Sequence, residues 1–375
     1  MRILEVASGM PDWAGTEKHI MDLVPCLLER GHDVVIGCRA VSEIGRRATA
    51  AGIPTIQLEM RRDTEWRQLP VFVRAMRSKF DVVHVHHYLD YIVPAAAARL
   101  ALIPAVVMTR HLPHGFRSRT RAFLCSRVLY DRIIAVSEFI RRVLTECGAA
   151  PDRISVVKNG MDPAPWQQLG KNHIRDELCV PGDAFLVAAA GRLASEKGFD
   201  ILVRAIGLTR QSGVPVHCAI AGRGDEMERL MELRTELGLT DVVHLIGFRN
   251  DVPALFAAAD AVVVPSTAES FGYVPVEAMA SGRPVIGSRV GGIPEVITPD
   301  VGFLIQPGDA KGIADAIEDL ALHPDKKNAM GRSGPSRAAQ FSLGAMVSNV
   351  EAVFIELLGS RSKSRNRLVQ SEGPG

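Results

Sequence analysis

The feature that most constrains this 375-residue chain is an alternation of short apolar runs with longer amphipathic stretches, which occurs in two series. In the first 160 residues the runs are RILEVA, DVVIGC, IPTIQL, DVVHVHH, PAVVMTR, RIIAVS and RISVVK. Helix-patterned segments separate them, the first being TEKHIMDLVPCLLERG, which ends at Gly31. After Asn159-Gly160 the rhythm restarts with FLVAAAG, VHCAIAG, VVHLIG, AVVVPS and RPVIGS. Strands joined through helices are parallel, because each crossover returns the chain to the same end of the sheet. The pattern predicts an α/β protein of two doubly wound parallel-sheet domains facing across a cleft, with ligands at the carboxyl ends of the strands. The expected boundaries are 1–160 and 161–340. A closing helix over 341–359 is expected to pack back toward the first domain, and a mobile basic tail to occupy 360–375.

Apolar residues make up 47% of the chain and charged ones 23%, a balance that excludes a disordered polymer. The net charge of +2 says little about partners, but its distribution does: residues 1–160 carry net +7 and the remainder net −5. The two halves are therefore expected to meet different partners. Six scattered cysteines with no C-x-x-C pair fit free thiols in a reducing cytoplasm better than a disulfide frame or a zinc site. The N-terminal MRILEVASG reads as a first strand and not as a targeting signal. The longest apolar run, IVPAAAARLALIPAVVM, contains Arg99 and two prolines, so no uninterrupted run reaches membrane-spanning length.

The densest chemistry lies in PSTAESFGYVPVEAMASGRPVIGSRVGGIPEVI, residues 265–297. A strand ends at Pro265, a turn carries Glu269, Gly272 opens a helix and Glu277 lies inside it. Glycine at a helix start lets a ligand approach bare backbone N–H groups, where the helix dipole favours an anion. Two carboxylates eight residues apart on one helix would be separated by a rise of about 12 Å. That exceeds the roughly 5–9.5 Å of a glycosidase pair. The two acids are thus expected to serve different parts of one extended ligand.

This E-x7-E segment resembles that of the retaining group 1 glycosyltransferases, enzymes of the glycosyltransferase-B fold with two Rossmann-like domains. GRLASEKG at 191–198, AGTEKH at 14–19, AGRGDE at 221–226 and NGMD at 159–162 resemble further landmarks of that family, in its order and over nearly the whole chain. The resemblance implies transfer of a sugar from a nucleoside diphosphate donor, UDP being the commonest, with retained anomeric configuration. Arg192 and Lys197 match the pair that clamps the donor diphosphate. Fixed cations there stabilise the charge that develops on the leaving group. Glu269 matches the residue at the donor sugar's hydroxyls, and Phe271, Gly272, Tyr273 and Val274 those whose backbone N–H groups meet sugar and phosphate. Glu277 matches the carboxylate on the ribose, which can accept from two vicinal hydroxyls. Gly222 and Gly224 match the turn lining the nucleotide, with backbone near Phe248 and Arg249 reading the base. Gly15, in Ala14-Gly15-Thr16, matches the loop reaching the phosphates from the first domain, and His111 a histidine on the transferred sugar. Domain closure would bring these groups together and exclude water.

No metal or other cofactor is expected. D-x-D is absent, and in HVHH at 84–87 only His84 and His86 share a face of the strand. The stretch 110–142 holds eight arginines (110, 117, 119, 121, 127, 132, 141, 142) with Phe116, Phe123 and Leu124 interleaved. It reads either as a solvated helix face or as a peripheral contact with an anionic membrane. Nucleic acid is not an expected partner, given the near-neutral total and few aromatics. The sequence does not identify the acceptor: a cell-envelope glycan or other polysaccharide precursor, a lipid-linked sugar, a small thiol-precursor acid and a natural product all fit, with the enzyme expected in the cytoplasm or at the inner face of the membrane. A sugar-nucleotide epimerase and a non-catalytic nucleotide-sugar-binding protein stay open as alternatives.

Overall fold

The computed structural model describes residues 1–7, 15–61, 64–86, 91–167 and 173–371, with 361–371 as helical backbone only. Ala14 and His87 lie outside the described residues. The chain divides into two compact units, Met1–Gly160 with Leu343–Gly375, and Met161–Ser342.

In the first unit β1 (Arg2–Ala7), β2 (Asp33–Cys38), β3 (Thr55–Gln57), β4 (Val82–Val85), β5 (Ala105–Arg110), β6 (Arg132–Ala135) and β7 (Ile154–Val156) form one sheet. All neighbours run parallel in the order β3-β2-β1-β4-β5-β6-β7. The order reverses direction between β1 and β4, which creates a switch point at their carboxyl ends. Helices cover both faces, so the strands are apolar almost without interruption. Ile3, Leu4 and Val6 of β1 are fully buried, and so is the charged Glu5 between them.

The helix from Leu343 belongs to this unit. Its Met346, Val347, Val350, Val353 and Phe354 share a core with Ile20, Leu23, Val24 and Leu27 of the Gly15–Glu29 helix. Glu351 ties it down by accepting from Arg30 at 2.7 Å and contacting His32 at 2.6 Å. Leu343–Ser360 is long and apolar enough to cross a membrane by length and composition. Its apolar stripe is accounted for by packing in this core. The helix continues to Ser371, past the expected boundary at 359. Neither glycine nor proline interrupts 360–371, so no stop signal ends it sooner.

In the second unit β8 (Phe185–Ala190), β9 (Val216–Ala221), β10 (Val243–Gly247), β11 (Ala261–Val264), β12 (Val285–Ser288) and β13 (Gly302–Ile305) form a parallel sheet ordered β10-β9-β8-β11-β12-β13. The switch point falls between β8 and β11. Leu202, Val203 and Ile206 pack with Val187, Ile220, Val263 and Ile286 in its core. The edge strand β13 was not among the expected runs. It is short and starts at a glycine whose added Cβ would meet Val285 O at 1.9 Å. The chain enters and leaves this unit at one place, where Met161 N donates to Phe341 O at 3.0 Å.

Candidate active site

In the second unit the candidate residues lie on the loops that follow β8, β9, β10 and β11 and in the Tyr273–Ala280 helix after β11. Arg192 and Lys197 lie on the loop after β8, and Glu269 on the loop after β11. The two loops meet across the switch point: Thr267 N donates to Glu196 O at 2.8 Å, and Lys197 Nζ donates to Glu269 Oε2 at 2.6 Å. Lys197 and Glu269 are both half-buried, whereas Arg192 is exposed and paired with Glu196 four residues on. Gly198 makes the approach possible. Its φ is +65°, and an added Cβ would lie 2.2 Å from Pro265 O. Both cations thus rest against carboxylates of neighbouring loop residues.

Glu269 is held from its other side by the loop after β12. Gly292 N donates to Glu269 O at 3.2 Å, and a Cβ at Gly291 would overlap that same oxygen at 1.6 Å. Sequence reading assigned no role to this glycine pair, although two adjacent glycines before a helix are a signal of close backbone approach. Gly272, at φ +100°, caps the Tyr273–Ala280 helix. Phe271 is buried against Tyr273 and Phe341, with ring centroids 5.7 and 5.6 Å away. Val274 lies in the first turn of the helix and Glu277, 9% exposed, in the second. E-x7-E therefore places one acid on a loop and the other on a helix, as its residues suggest.

Gly222 and Gly224 are explained first by packing. A Cβ on Gly222 would meet Gly191 O at 1.9 Å, and one on Gly224 would meet Leu193 O at 2.3 Å. The turn after β9 is bonded directly to the loop after β8, Leu193 N donating to Arg223 O at 3.0 Å. Phe248, 51% exposed after β10, lies under the Arg223 guanidinium at 4.4 Å. The Arg249 side chain turns to Asp251 (2.7 and 2.8 Å) and Glu177 (2.6 and 3.1 Å). These carboxylates raise its pKa further, Asp251 first and Glu177 second. The Arg249 guanidinium is thus taken up by these two carboxylates.

In the first unit Gly15 opens the helix that follows β1, and His111 directly follows β5. Arg110 fixes the loop that carries His111. It donates to His114 O and to Gly115 O at 3.1 Å, while its guanidinium lies near the Tyr91 and Phe116 rings. Arg110 is buried, so it is not part of the surface arginine cluster expected from sequence. Arg127, Arg132 and Arg141 of that cluster pair with Asp152, Glu356 and Glu138.

His111 touches a buried polar cluster that sequence reading did not assemble. His86 Nδ1 lies 3.3 Å from His111 Nε2, and His86 Nε2 lies 2.5 Å from Glu5 Oε2. His84 Nδ1 reaches the same carboxylate oxygen at 2.9 Å, and its Nε2 meets Thr109 Oγ1 at 2.7 Å. His84 and His86 do share a face, as strand alternation requires. Burial pushes the Glu5 carboxyl up, but His84 and His86 outweigh it and hold the pKa at about 2. Burial lowers His86 to about 4, with Glu5 opposing, and burial also takes His19 well below its usual value. The ligand atoms of His19, His86 and His111 lie within 4.8 Å of one another, as do those of Glu5, His84 and His86, so either trio has the dimensions for a cation. The signal for this cluster was a glutamate inside an otherwise apolar central strand, which burial forces to find partners.

Comparison with known proteins agrees with this architecture. Residues 170–337 match the family model described as glycosyl transferases group 1, and residues 13–165 that of glycosyltransferase family 4. The D-inositol 3-phosphate glycosyltransferase of Corynebacterium aurimucosum is 30% identical over 313 residues, 76% of this chain and 74% of that one. The protein of that name from Saccharomonospora viridis is 32% identical over 292 residues, 70% and 67% of the two chains. Among solved structures, Anabaena HepE in complex with UDP-glucose superposes with a TM-score of 0.84 at 24% identity, covering 96% of this chain and 100% of that one. A glycosyltransferase from Rickettsia africae gives 0.84 at 20% identity, covering 95% and 98%. With both sheets doubly wound and both halves matched, the chain belongs to the group 1 glycosyltransferases of the glycosyltransferase-B fold.

Proposed function

We propose that the protein transfers a sugar from a UDP-sugar to an acceptor hydroxyl with retention of configuration and without a metal ion. The observation that carries this reading is the meeting of Lys197 and Glu269 at the switch point, with Arg192 on the same loop. In this reading Lys197 and Arg192 bind the diphosphate, Glu269 the sugar hydroxyls and Glu277 the ribose. Backbone N–H groups of Phe271, Gly272, Tyr273 and Val274 meet sugar and phosphate. Gly222, Gly224 and the backbone at Phe248 and Arg249 line the base, Gly15 serves the phosphates, and His111 meets the transferred sugar. The bond from C1 to the leaving phosphate oxygen breaks while the acceptor oxygen bonds C1 on the same face. The acceptor's proton passes to the departing phosphate. Two cations in a partly buried site stabilise that leaving group in the place of a metal.

The HepE complexes with UDP and with UDP-glucose support the choice of uridine. As acceptor we propose a cell-envelope glycan or lipid-linked precursor, reached by peripheral contact with an anionic membrane from the cytoplasm. Phe123 (60% exposed), Leu124 and Val128 lie beside the exposed Arg119 and Arg127, which supports the contact. The named relatives make D-inositol 3-phosphate the first small acceptor to try against it.

The deciding experiment is a thermal-shift panel of UDP, GDP, ADP and dTDP with and without EDTA, on the wild type and Arg192→Ala. Stabilisation by UDP that survives EDTA and fades in the variant is the expected result. Stabilisation only with added magnesium would overturn the metal-free reading. Product analysis then separates the alternatives: an epimerase turns over without acceptor, and a sensor binds without turnover.

A further inference from the structure

The Glu5, His84 and His86 cluster has no role in the donor site proposed above, and hydrogen bonding alone leaves it incomplete. Glu5 and His84 are register partners on the adjacent parallel strands β1 and β4, and His86 N donates to Val6 O at 3.2 Å. All three residues are at most 1% exposed. Among the described residues no lysine or arginine pairs with Glu5. A carboxylate taken that far from water needs a compensating charge. Glu5 Oε1 and His84 Nδ1, both buried, make no hydrogen bond. His84 Nδ1 is 2.9 Å from Glu5 Oε2, but off the line that a shared proton requires. We propose that Glu5, His84 and His86 form a buried site for one divalent transition-metal ion, best suited to zinc, which ties β1 to β4 at the switch point of the first unit.

The donor set and its surroundings fit such an ion. Imidazole nitrogens with one carboxylate suit zinc, whereas magnesium and calcium prefer oxygen ligands. The three ligand atoms lie within 4.8 Å of one another. Donors around a tetrahedral zinc stand about 3.3 Å apart. The Glu5 carboxylate must therefore withdraw a little from His86 Nε2, now 2.5 Å away. Binding through both of its oxygens supplies the fourth donor and gives Oε1 its partner. A metal-bound histidine is oriented through its other ring nitrogen. Here His84 Nε2 meets Thr109 Oγ1 at 2.7 Å, and His86 Nδ1 lies 3.3 Å from His111 Nε2. Phe354 packs edge-on to His84, with ring centroids 5.3 Å apart, and adds an apolar wall. An ion so enclosed is structural. The diphosphate stays with Arg192 and Lys197, and the inference does not rest on that reading.

The test uses the full chain without a polyhistidine tag, stripped with dipicolinate and then titrated with zinc or, as a visible probe, with cobalt(II). One equivalent should bind per chain, and magnesium or calcium should not compete. The cobalt form should show the intense visible bands of a four-coordinate site. With zinc at about a hundredfold excess over its dissociation constant, the melting temperature should rise by roughly 5–10 °C. Glu5→Gln keeps the shape and removes the charged ligand. Its zinc affinity should fall by more than about a hundredfold, and the cobalt bands should disappear. Thr109→Val leaves all three ligands in place, and its affinity should fall by about tenfold to a hundredfold. X-ray absorption of the zinc-loaded wild type reads the ligands without any variant, and two imidazoles with a carboxylate are expected.

A folded wild type that binds neither zinc nor cobalt, or that takes up several ions only at millimolar concentration, would overturn the site. Equal zinc affinity in the wild type and a folded Glu5→Gln would do the same. Metal kept in Glu5→Gln but lost in His19→Ala would put the ion in the trio of His19, His86 and His111, and this assignment would fall. If Glu5→Gln does not fold, the absorption spectrum decides: three imidazoles and no carboxylate would exclude Glu5 as a ligand.

Discussion

Lys197 Nζ lies 2.6 Å from Glu269 Oε2, so the cation proposed for the donor's diphosphate and the acid proposed for its sugar hold one another in place. The two variants of this pair should therefore behave differently. Lys197→Ala removes a charge-assisted contact worth about 1.5–3 kcal/mol, and UDP affinity and turnover should fall by about tenfold to over a hundredfold. Glu269→Ala leaves the lysine available, and a partly exposed ion pair contributes no more than about 1 kcal/mol. Its UDP affinity should stay within about fivefold of wild type while transfer collapses. Titration of both variants with UDP checks this; equal loss of UDP binding in the two would remove the assignment of Glu269 to the sugar.

The position of Glu269 depends on a glycine two strands away from the loop that carries Lys197. At Gly291, φ is +59° and an added Cβ would lie 1.6 Å from Glu269 O. Gly291→Ala must displace the Glu269 loop and also adopt a left-handed backbone, which costs about 1–2 kcal/mol by itself. The melting temperature should fall by several degrees, about 2–4 °C for each kcal/mol in a domain of this size. Transfer should fall further than stability explains. Gly308→Ala, with positive φ but no atom within 4 Å of its Cβ, is the control for backbone strain alone.

Why the glycine pair went unread and E-x7-E did not is a matter of where each residue's partner lies. Gly272 and Glu277 are local: a helix start and its second turn follow from sequence spacing, and the structure places both there. The reason for Gly291 is a carbonyl 22 positions earlier in the chain, brought close only by the order of β11 and β12. The alternating strands and helices were legible because burial on two faces makes parallel strands uniformly apolar. The same uniformity hid β13, whose four residues GFLI are too few to carry a period. Glu5, His84 and Thr109 lie on three different strands, and only strand order makes them neighbours. The Arg249 side chain faces Glu177 and Asp251, partners that no local spacing announces.

The mixed apolar and basic face near residue 123 makes a prediction about association with membranes. Phe123 and Val128 are more than half exposed, and the nearby Leu100 and Leu102 are more exposed still. Arginines near an anionic surface contribute about 1 kcal/mol each, an effect screened by salt. The protein should sediment with phosphatidylserine vesicles at low salt and not with phosphatidylcholine vesicles. Phe123→Glu with Val128→Glu should abolish the association while leaving UDP stabilisation intact. Equal binding to both vesicle types, or none to either, would remove the membrane from the proposed function.

The buried cluster around Glu5 gives the first unit a distinct response to acid. His86, lowered to about 4, and His19, lowered well below its usual value, bind protons more readily in the unfolded chain than in the folded one. Below pH 6.5 the unfolded state therefore takes up more protons, and stability is lost as pH falls from there toward 4. Each histidine contributes a slope of roughly 1.4 kcal/mol per pH unit across its window. Glu5, held at about 2, adds a second loss of the same sign between about 4.5 and 2. Urea unfolding of the first unit, followed at pH 8, 7, 6 and 5, should show a midpoint that is steady at the top of the range and falls between 6.5 and 5. In His19→Asn, where one such imidazole is gone, the fall should be shallower. A midpoint that is flat from pH 7 to 5 in the wild type would mean that the cluster takes up protons in the folded state as readily as in the unfolded chain.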